Sequence, residues 1–367
     1  MAYGTVNADV IQTSTSGGIL GAGNASIMKN RIINGAMVIS QRNGTSSVTY
    51  NTTDNTYSLD RWRVRATASA GVFTVQQVSD APAGFVNSAK ITVTTADSSI
   101  AATSLYSFQQ LIEGYNVADL NFGSANAKTV TLSFWVKSSL TGTFGGALRN
   151  SAGDRAYPFN YTISSANTWE QKSITVAGDT TGTWLTDNGI GLSIFLAIGT
   201  GSNYLQTANV WGATSAFAPT GSTNLISTNG ATLQYTGVQL EVGSSATGYE
   251  YVNYQTSLAN CYRYYYQMSG VVNQDILVGT ACDQTTWLRY GFALPTTMRS
   301  TPSLVSAGGT SYANLISSGG RASTSISLDN SSTTNACVNL YSAGISAGTT
   351  GTFRLQAGLY LGLSAEL

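Results

Sequence analysis

Chemistry at neutral pH needs a nucleophile, a general acid or base, or a metal, and this 367-residue sequence is poor in all three. It contains no histidine, which removes His-based triads, His general bases and His metal ligands together. Its three cysteines, Cys261, Cys282 and Cys337, form no Cys-x-x-Cys pair, so neither a zinc site nor a disulfide framework is expected. They read as three buried free thiols made in a reducing compartment. Carboxylates remain: Asp60, Glu113, Asp179, Asp187 and Glu241. Glycoside hydrolysis would need two of them flanking one bond, and no such pair is recognisable. They are expected to be structural or solvated, with Glu113, just before Gly114, capping a turn. The short runs Gly21–Gly23 and Thr200–Ser202 are too isolated to be phosphate loops. The sequence therefore predicts no catalytic residue, no metal and no cofactor.

Binding asks for different groups. An aromatic ring can cover the apolar C–H face of a sugar while uncharged polar groups read its hydroxyls. Lys128–Lys137 (KTVTLSFWVK) alternates, so Val130, Leu132, Phe134 and Val136 point one way and Thr129, Thr131, Ser133 and Trp135 the other. Trp135 is the first candidate for stacking on a glycan. Trp169, Tyr157, Trp184 and Arg149 follow it, from neighbouring strands or loops of the same module. For each, the competing reading is packing under a loop or against a sister chain. Trp62 and Trp211 are assigned to core or interface. A dense tyrosine cluster, including Tyr262, Tyr264, Tyr265 and Tyr266, is expected to pack between domains or chains, since Tyr is favoured in interfaces.

The charge balance excludes other partners. Seventeen basic residues meet seventeen acidic ones, and only 9% of residues are charged against a usual share of about 25%. Nucleic-acid binding needs a basic excess to replace phosphate counterions, and none is present. The one local run, Arg61–Arg65 (RWRVR), would set three arginines on one face of a short strand, read as a solvated or intersubunit face rather than a phosphate site. The most apolar stretch, Gly189–Gly199, is too short to span a bilayer. The first twelve residues lack the basic-then-apolar pattern of a secretory signal. Neither export by a cleavable signal nor membrane insertion is expected.

The elements that must position these groups are mostly strands. Strand-like runs fall at Arg31–Ser40, Arg61–Arg65, Val72–Val78, Lys90–Thr95, Lys128–Lys137, Thr143–Arg149, Tyr157–Ile163, Trp169–Val176, Gly191–Ile198 and Thr232–Glu241. Turn clusters such as Asn43-Gly44, Asp80–Gly84, Ala177–Gly182 and Asp187–Gly189 separate them. About a quarter of the chain is Ser or Thr, residues suited to the solvent face of a strand. An antiparallel sandwich is predicted. Tyr254–Tyr262 is the one helix candidate. After it, runs at Asp275–Thr280, Trp287–Ala293, Ser303–Ala307, Thr324–Leu328, Ala336–Tyr341 and Phe353–Leu361 predict a second, smaller sandwich. The division expected is residues 1–30 as an extended, Gly/Ser-rich attachment arm, 31–250 as the large sandwich and 251–367 as the small β-domain.

Several segments follow one another in a recognisable order. They are Asn30–Arg42 (NRIINGAMVISQR), Leu59–Trp62 (LDRW), Gln109–Gly114 (QQLIEG), Leu132–Ser138 (LSFWVKS) and Trp169–Lys172 (WEQK). Gly237–Gly243 (GVQLEVG) with Ala246 and Thr247, Cys261–Tyr265 (CYRYY) and Leu363–Leu367 (LSAEL) complete the series. From about residue 30 to the end, the chain resembles a large family of bacteriophage virion proteins, usually described as tail-fibre, minor structural or carbohydrate-binding-like. The resemblance implies an all-β protein with a jelly roll like those of carbohydrate-binding modules, then a small C-terminal β-domain, assembled as a homotrimer. It carries no catalytic residues. The function it implies is that of a virion structural protein assembled in the host cytoplasm, a tail fibre or similar appendage that contributes to recognising a host-surface glycan. Its arm would dock on another virion protein. The alternatives are a capsid-anchored head fibre or decoration protein and, third, a glycan hydrolase.

Overall fold

In the computed structural model the described residues are 10–12, 19–21, 28–51, 54–269, 277–281, 287–306, 312–316, 319–323, 325–341, 350–354 and 360–367. The protein is all-β with a single α-helix among the described residues. Two six-stranded antiparallel sheets pack face to face. The first runs, in spatial order, Ala156–Ile163, Gly142–Arg149, Ile190–Thr200, Leu105–Glu113, Trp62–Ala66 and Asp54–Leu59. The second runs Glu170–Val176, Val130–Ser138, Thr232–Val242, Ser88–Thr95, Val72–Val78 and Val48–Tyr50. From Ser88–Thr95 to Gly142–Arg149, successive strands alternate between the two sheets, the jelly-roll pattern.

The alternation read in Val130–Val136 holds: Val130, Leu132, Phe134 and Val136 are fully buried, and Trp135 faces outward, half-buried. Between the sheets, Trp62 stacks on Phe108 at 4.9 Å, and Phe134 meets Tyr161 and Tyr235 edge-on at 5.1 and 5.8 Å. The hydroxyls of Tyr161 and Tyr235, both buried, bond each other at 2.6 Å, so neither is left unsatisfied. Each such large side chain contributes about 1.5–3 kcal/mol by leaving water.

Residues 31–40 are a correction: they form turns rather than a strand. Asn34 and Met37 both have left-handed φ, 59° and 57°, which a strand cannot hold. The segment is held by side-chain amides instead. Asn34 donates to the Ile39 and Asp60 carbonyls and accepts from Ile39 N–H. Gln110 exchanges two bonds with the Ile33 backbone, and Asn30 brackets the strand Thr232–Val242 through Val238 and Leu240. Three strands without an expected counterpart complete the sheets: Val48–Tyr50, Asp54–Leu59 and Leu105–Glu113. The last is buried on both faces, so it lacks the alternation that marks a half-exposed strand.

The helix spans Tyr254–Tyr262 as predicted, and the Asn253 side chain caps it by accepting from Thr256 N–H at 2.8 Å. Beyond it, a three-stranded sheet (Tyr265–Ser269, Tyr360–Ser364, Ser303–Ser306) packs on a seven-stranded one through Met268, Leu361, Leu288, Tyr290 and Leu340. The predicted single strand Phe353–Leu361 is two, Thr350–Arg354 and Tyr360–Ser364, which lie in different sheets. Tyr312–Ile316 and Gly319–Ser323 are a hairpin the sequence patterns did not show.

Most of the expected arm lies outside the described residues; Val10–Gln12 and Ile19–Gly21 pair with each other as short antiparallel strands. Cys282 also lies outside them, Cys261 is buried, and Cys337 is half-buried rather than fully buried. No helix among the described residues is long and apolar enough to cross a membrane.

Candidate functional site

The residues singled out from sequence fall in four places. Trp135 and Trp169 share the outer face of the second sheet. Trp135 pairs in register with Gln171 and Thr236, and Trp169 directly precedes the edge strand Glu170–Val176. The indole of Trp169 is held from two sides: its N–H donates to Asp80 Oδ1 at 3.3 Å, and Lys137 Nζ lies 5.3 Å from the ring centroid. Lys137 in turn pairs with Asp80 Oδ2, which also accepts from Gln234 at 3.2 Å. The Lys137 hydrogen bond, followed by those from Gln234 and Trp169, outweighs partial desolvation and holds the Asp80 carboxyl below its ordinary pKa.

Gly237 extends this surface. It sits at φ +60° in a bulge of Thr232–Val242, and a Cβ there would approach Phe85 at 2.6 Å and Trp135 at 3.1 Å. The missing side chain lets both rings close over the sheet. Phe85 then meets Tyr249 at 5.0 Å and Tyr251 at 5.7 Å. A groove of about 600 Å³ opens beside Phe85, lined also by Ile33, Tyr249, Tyr251 and Arg263. Tyr251 is 63% exposed and Val86 70%. The result is a chain of half-exposed aromatic faces edged by Lys137, Asp80 and Gln171, a chemistry suited to a sugar ring and its hydroxyls.

Tyr157 and Trp184 lie elsewhere, at one end of the sandwich. Trp211 joins them at 5.3 and 5.5 Å, and Phe122 meets Trp184 at 5.0 Å. Both indole N–H groups are spent on backbone carbonyls, Trp184 on Thr181 and Trp211 on Ala177. Tyr157 is buried. This cluster packs against the core at that end, with a cavity of about 190 Å³ beside Trp184. Arg149 is on neither surface: it lies on the outer face of the first sheet, buried against Phe195 and Phe217.

The tyrosines at 262–266 join the sandwich to the C-terminal sheets within one chain. Tyr264 donates to Glu113 Oε2 at 2.6 Å and lies under Arg61, while Tyr265 lies under Arg42 at 3.5 Å. Both are buried; Tyr262 and Tyr266 form a half-buried edge-on pair at 5.1 Å. Arg61 does not continue the Arg63–Arg65 face as a strand residue. It occupies a left-handed turn (φ 68°), and its buried guanidinium pairs with Glu366 and the Leu111 carbonyl.

The carboxylates considered for hydrolysis are each committed to a partner of their own. Glu113 receives Arg263 and Tyr264; its side chain caps no turn. Asp60 holds Gln41, Asp179 holds Arg155, Glu241 holds Thr247 and Gln239, and Asp187 accepts from Gly189 N–H. Among the described residues no group of three or more acidic or cysteine side chains is arranged to hold a metal.

No protein-family model and no curated protein matches this sequence. Solved structures do. The enzymatically active domain of tailspike protein 4 of bacteriophage CBA120 is similar at 14% identity and TM-score 0.32, covering 59% of this chain. The match takes in 22% of that tailspike chain. TmCBM61 in complex with β-1,4-galactotriose is similar at 9% identity and TM-score 0.29, over 58% of this chain and 99% of the module. The family 11 carbohydrate-binding module of the cellulase Lic26A-Cel5E of Clostridium thermocellum is similar at 12% identity and TM-score 0.28, over 55% and 98%. At these identities the likeness concerns the sandwich fold alone.

Proposed function

We propose that this chain is a bacteriophage virion structural protein, a tail fibre or similar appendage, and a binding module rather than an enzyme. It contributes to attachment by presenting the aromatic face of its second sheet to a host-surface glycan. The observation that carries this reading is the strip Trp169–Trp135–Phe85 on an otherwise polar sheet face. Its indole at 169 is fixed by Asp80 and Lys137 before any ligand arrives. A ring already held in place loses little entropy on stacking, which favours binding by a shallow surface. The order of sequence motifs from Asn30 to Leu367 supports the virion assignment.

One such site has few desolvated contacts, so its affinity belongs in the micromolar-to-millimolar range. A homotrimer presenting three sites could raise the avidity by roughly 10² or more. Zero net charge limits indiscriminate adhesion to oppositely charged surfaces. The test is Trp135→Ala in the assembled protein. Adsorption to host cells should fall about tenfold or more, with thermal stability and oligomer mass nearly unchanged. Wild-type protein that is blank both on a broad glycan array and in adsorption would overturn the recognition role. Antibody labelling of whole particles separates a tail position from a capsid one.

A further inference from the structure

The outer face of the first sheet holds cations with no anion to match them. The registers place Tyr57, Arg63, Gln109, Phe195 and Ala147 in one cross-strand row. Arg65 and Ser107 lie in the row on one side, Ser193 and Arg149 in the row on the other. Over them folds the segment after Thr200, which brings Phe217 onto Phe195 at 4.7 Å and Tyr204 onto Phe217 at 5.2 Å. Two guanidiniums flank the single Phe217 ring, Arg149 at 4.1 Å and Arg65 at 5.1 Å.

Most other arginines of the sandwich are neutralised at close range. Arg61 and Arg42 share Glu366, Arg155 forks onto Asp179, and Arg31 reaches Asp119. Arg63 binds the Gln109 amide oxygen and lies within the field of Glu366. Arg65 and Arg149 have no carboxylate partner among the described residues. Arg149 is only 8% exposed, yet among the described residues its hydrogen-bond partners are Ser215 Oγ at 2.8 Å and, marginally, the Gly153 carbonyl at 3.5 Å, and its Nε has none. Burial first, then the neighbouring Arg65 charge, push the Arg149 guanidinium down to about 10. Two like charges, desolvated together, are costly unless something negative joins them.

We infer that this face is an oxyanion site in which Arg65 and Arg149, set around Phe217, receive the carboxylate or sulfate of an acidic saccharide, with Tyr204 and Ser215 beside it. Arginine suits such a group because its planar fork makes paired, charge-assisted bonds. The saccharide assignment rests on the glycan-binding reading above; the site itself is separate from the Trp135 surface, on the opposite sheet.

Calorimetric titration of the full chain with trigalacturonate and with neutral galactotriose tests it, using wild type, Arg65→Gln and Trp135→Ala. Trigalacturonate should bind wild type, bind Trp135→Ala equally, and lose about tenfold or more in affinity with Arg65→Gln, as expected for one charge-assisted bond pair. It should also raise the melting temperature of wild type but not of Arg65→Gln. If Arg65→Gln does not fold, Arg65→Lys keeps the charge without the fork and should show a smaller loss in the same direction. Trigalacturonate binding that is indifferent to position 65, or no tighter than galactotriose, overturns the inference and leaves the Trp135 reading standing. Inorganic sulfate binding as tightly as the trisaccharide overturns the saccharide assignment. Wild type that binds neither sugar overturns the inference, while the Trp135 reading stands or falls on the glycan array and adsorption.

Discussion

Glu113 shows how much a single side chain can decide. Sequence offered it as a turn cap, and its side chain caps no turn. It is buried at the end of Leu105–Glu113, where Arg263 and Tyr264 from the segment after the helix both bond it. Burial acts to raise its pKa, but Arg263 and Tyr264 together prevail and hold the carboxyl below the ordinary range. Its contribution to stability is therefore full above the unfolded-state value of about 4.3 and is lost as pH falls through the lower folded-state value. Urea unfolding of Glu113→Gln should show a loss of about 2–3 kcal/mol at pH 7, the scale of hydrogen bonds to a charged group. Once pH has fallen below the folded-state value, wild type and variant should converge. An undiminished gap at low pH would show that the carboxylate charge is not what matters.

At the scale of elements, several of the motifs that carry the family resemblance interlock. Asn30–Arg42 lies against Thr232–Val242 through Asn30, Arg31 and Gly35, whose Cβ would collide with the Val238 carbonyl. Leu59–Trp62 meets the same segment, with Trp62 N–H on the Asn34 carbonyl and Asp60 on Gln41. Gln109–Gly114 reaches Cys261–Tyr265 through Glu113, and the last strand returns to it through Ala365 N–H on the Tyr264 carbonyl. These four motifs thus meet at the junction between the sandwich and the C-terminal sheets. The bulge at Gly237 serves the outer face: Gly237→Ala should cost more than about 1 kcal/mol, because φ +60° disfavours a side chain and Phe85 must move. Its tryptophan emission should change as Trp135 is displaced. An unchanged melting temperature and spectrum would show that the rings do not depend on that gap.

For the whole molecule, exposed apolar side chains gather near the groove: Met28, Val86, Tyr251, Val252 and Tyr254 are each at least 41% exposed. Such a patch is uncommon on a monomer. Light scattering of the purified protein should give three times the 38.3 kDa chain mass; a stable monomer at micromolar concentration would exclude the homotrimer. Deleting Met1–Ser26 should leave both β-regions folded and abolish incorporation into particles, and normal incorporation would exclude the arm as the anchor.

What the sequence by itself determined is whatever depends on neighbours along the chain. Period-two alternation in Val130–Val136 set the inward face of that strand, Asn253 and the residues after it set the helix, and Gly/Asn turn pairs set where strands end. The absence of histidine removed a range of chemistry before any folding was considered. Tertiary structure decided what depends on residues far apart. Leu105–Glu113 is buried on both faces because distant segments cover its outer side, Phe217 and Tyr204 at Leu105 and Arg263 and Tyr264 at Glu113, so no alternation marked it. Residues 31–40 have the composition of a strand but gain more from amide bonds to Asp60, Gln110 and Val238 than from a ladder. Of the five residues proposed to bind glycan, Trp135 and Trp169 share a face because their strands pair in register, while Tyr157, Trp184 and Arg149 are carried to other surfaces. Sequence lists the aromatic and charged groups; only strand order and register decide which of them meet, and whether an arginine such as Arg149 meets a carboxylate or is left without one.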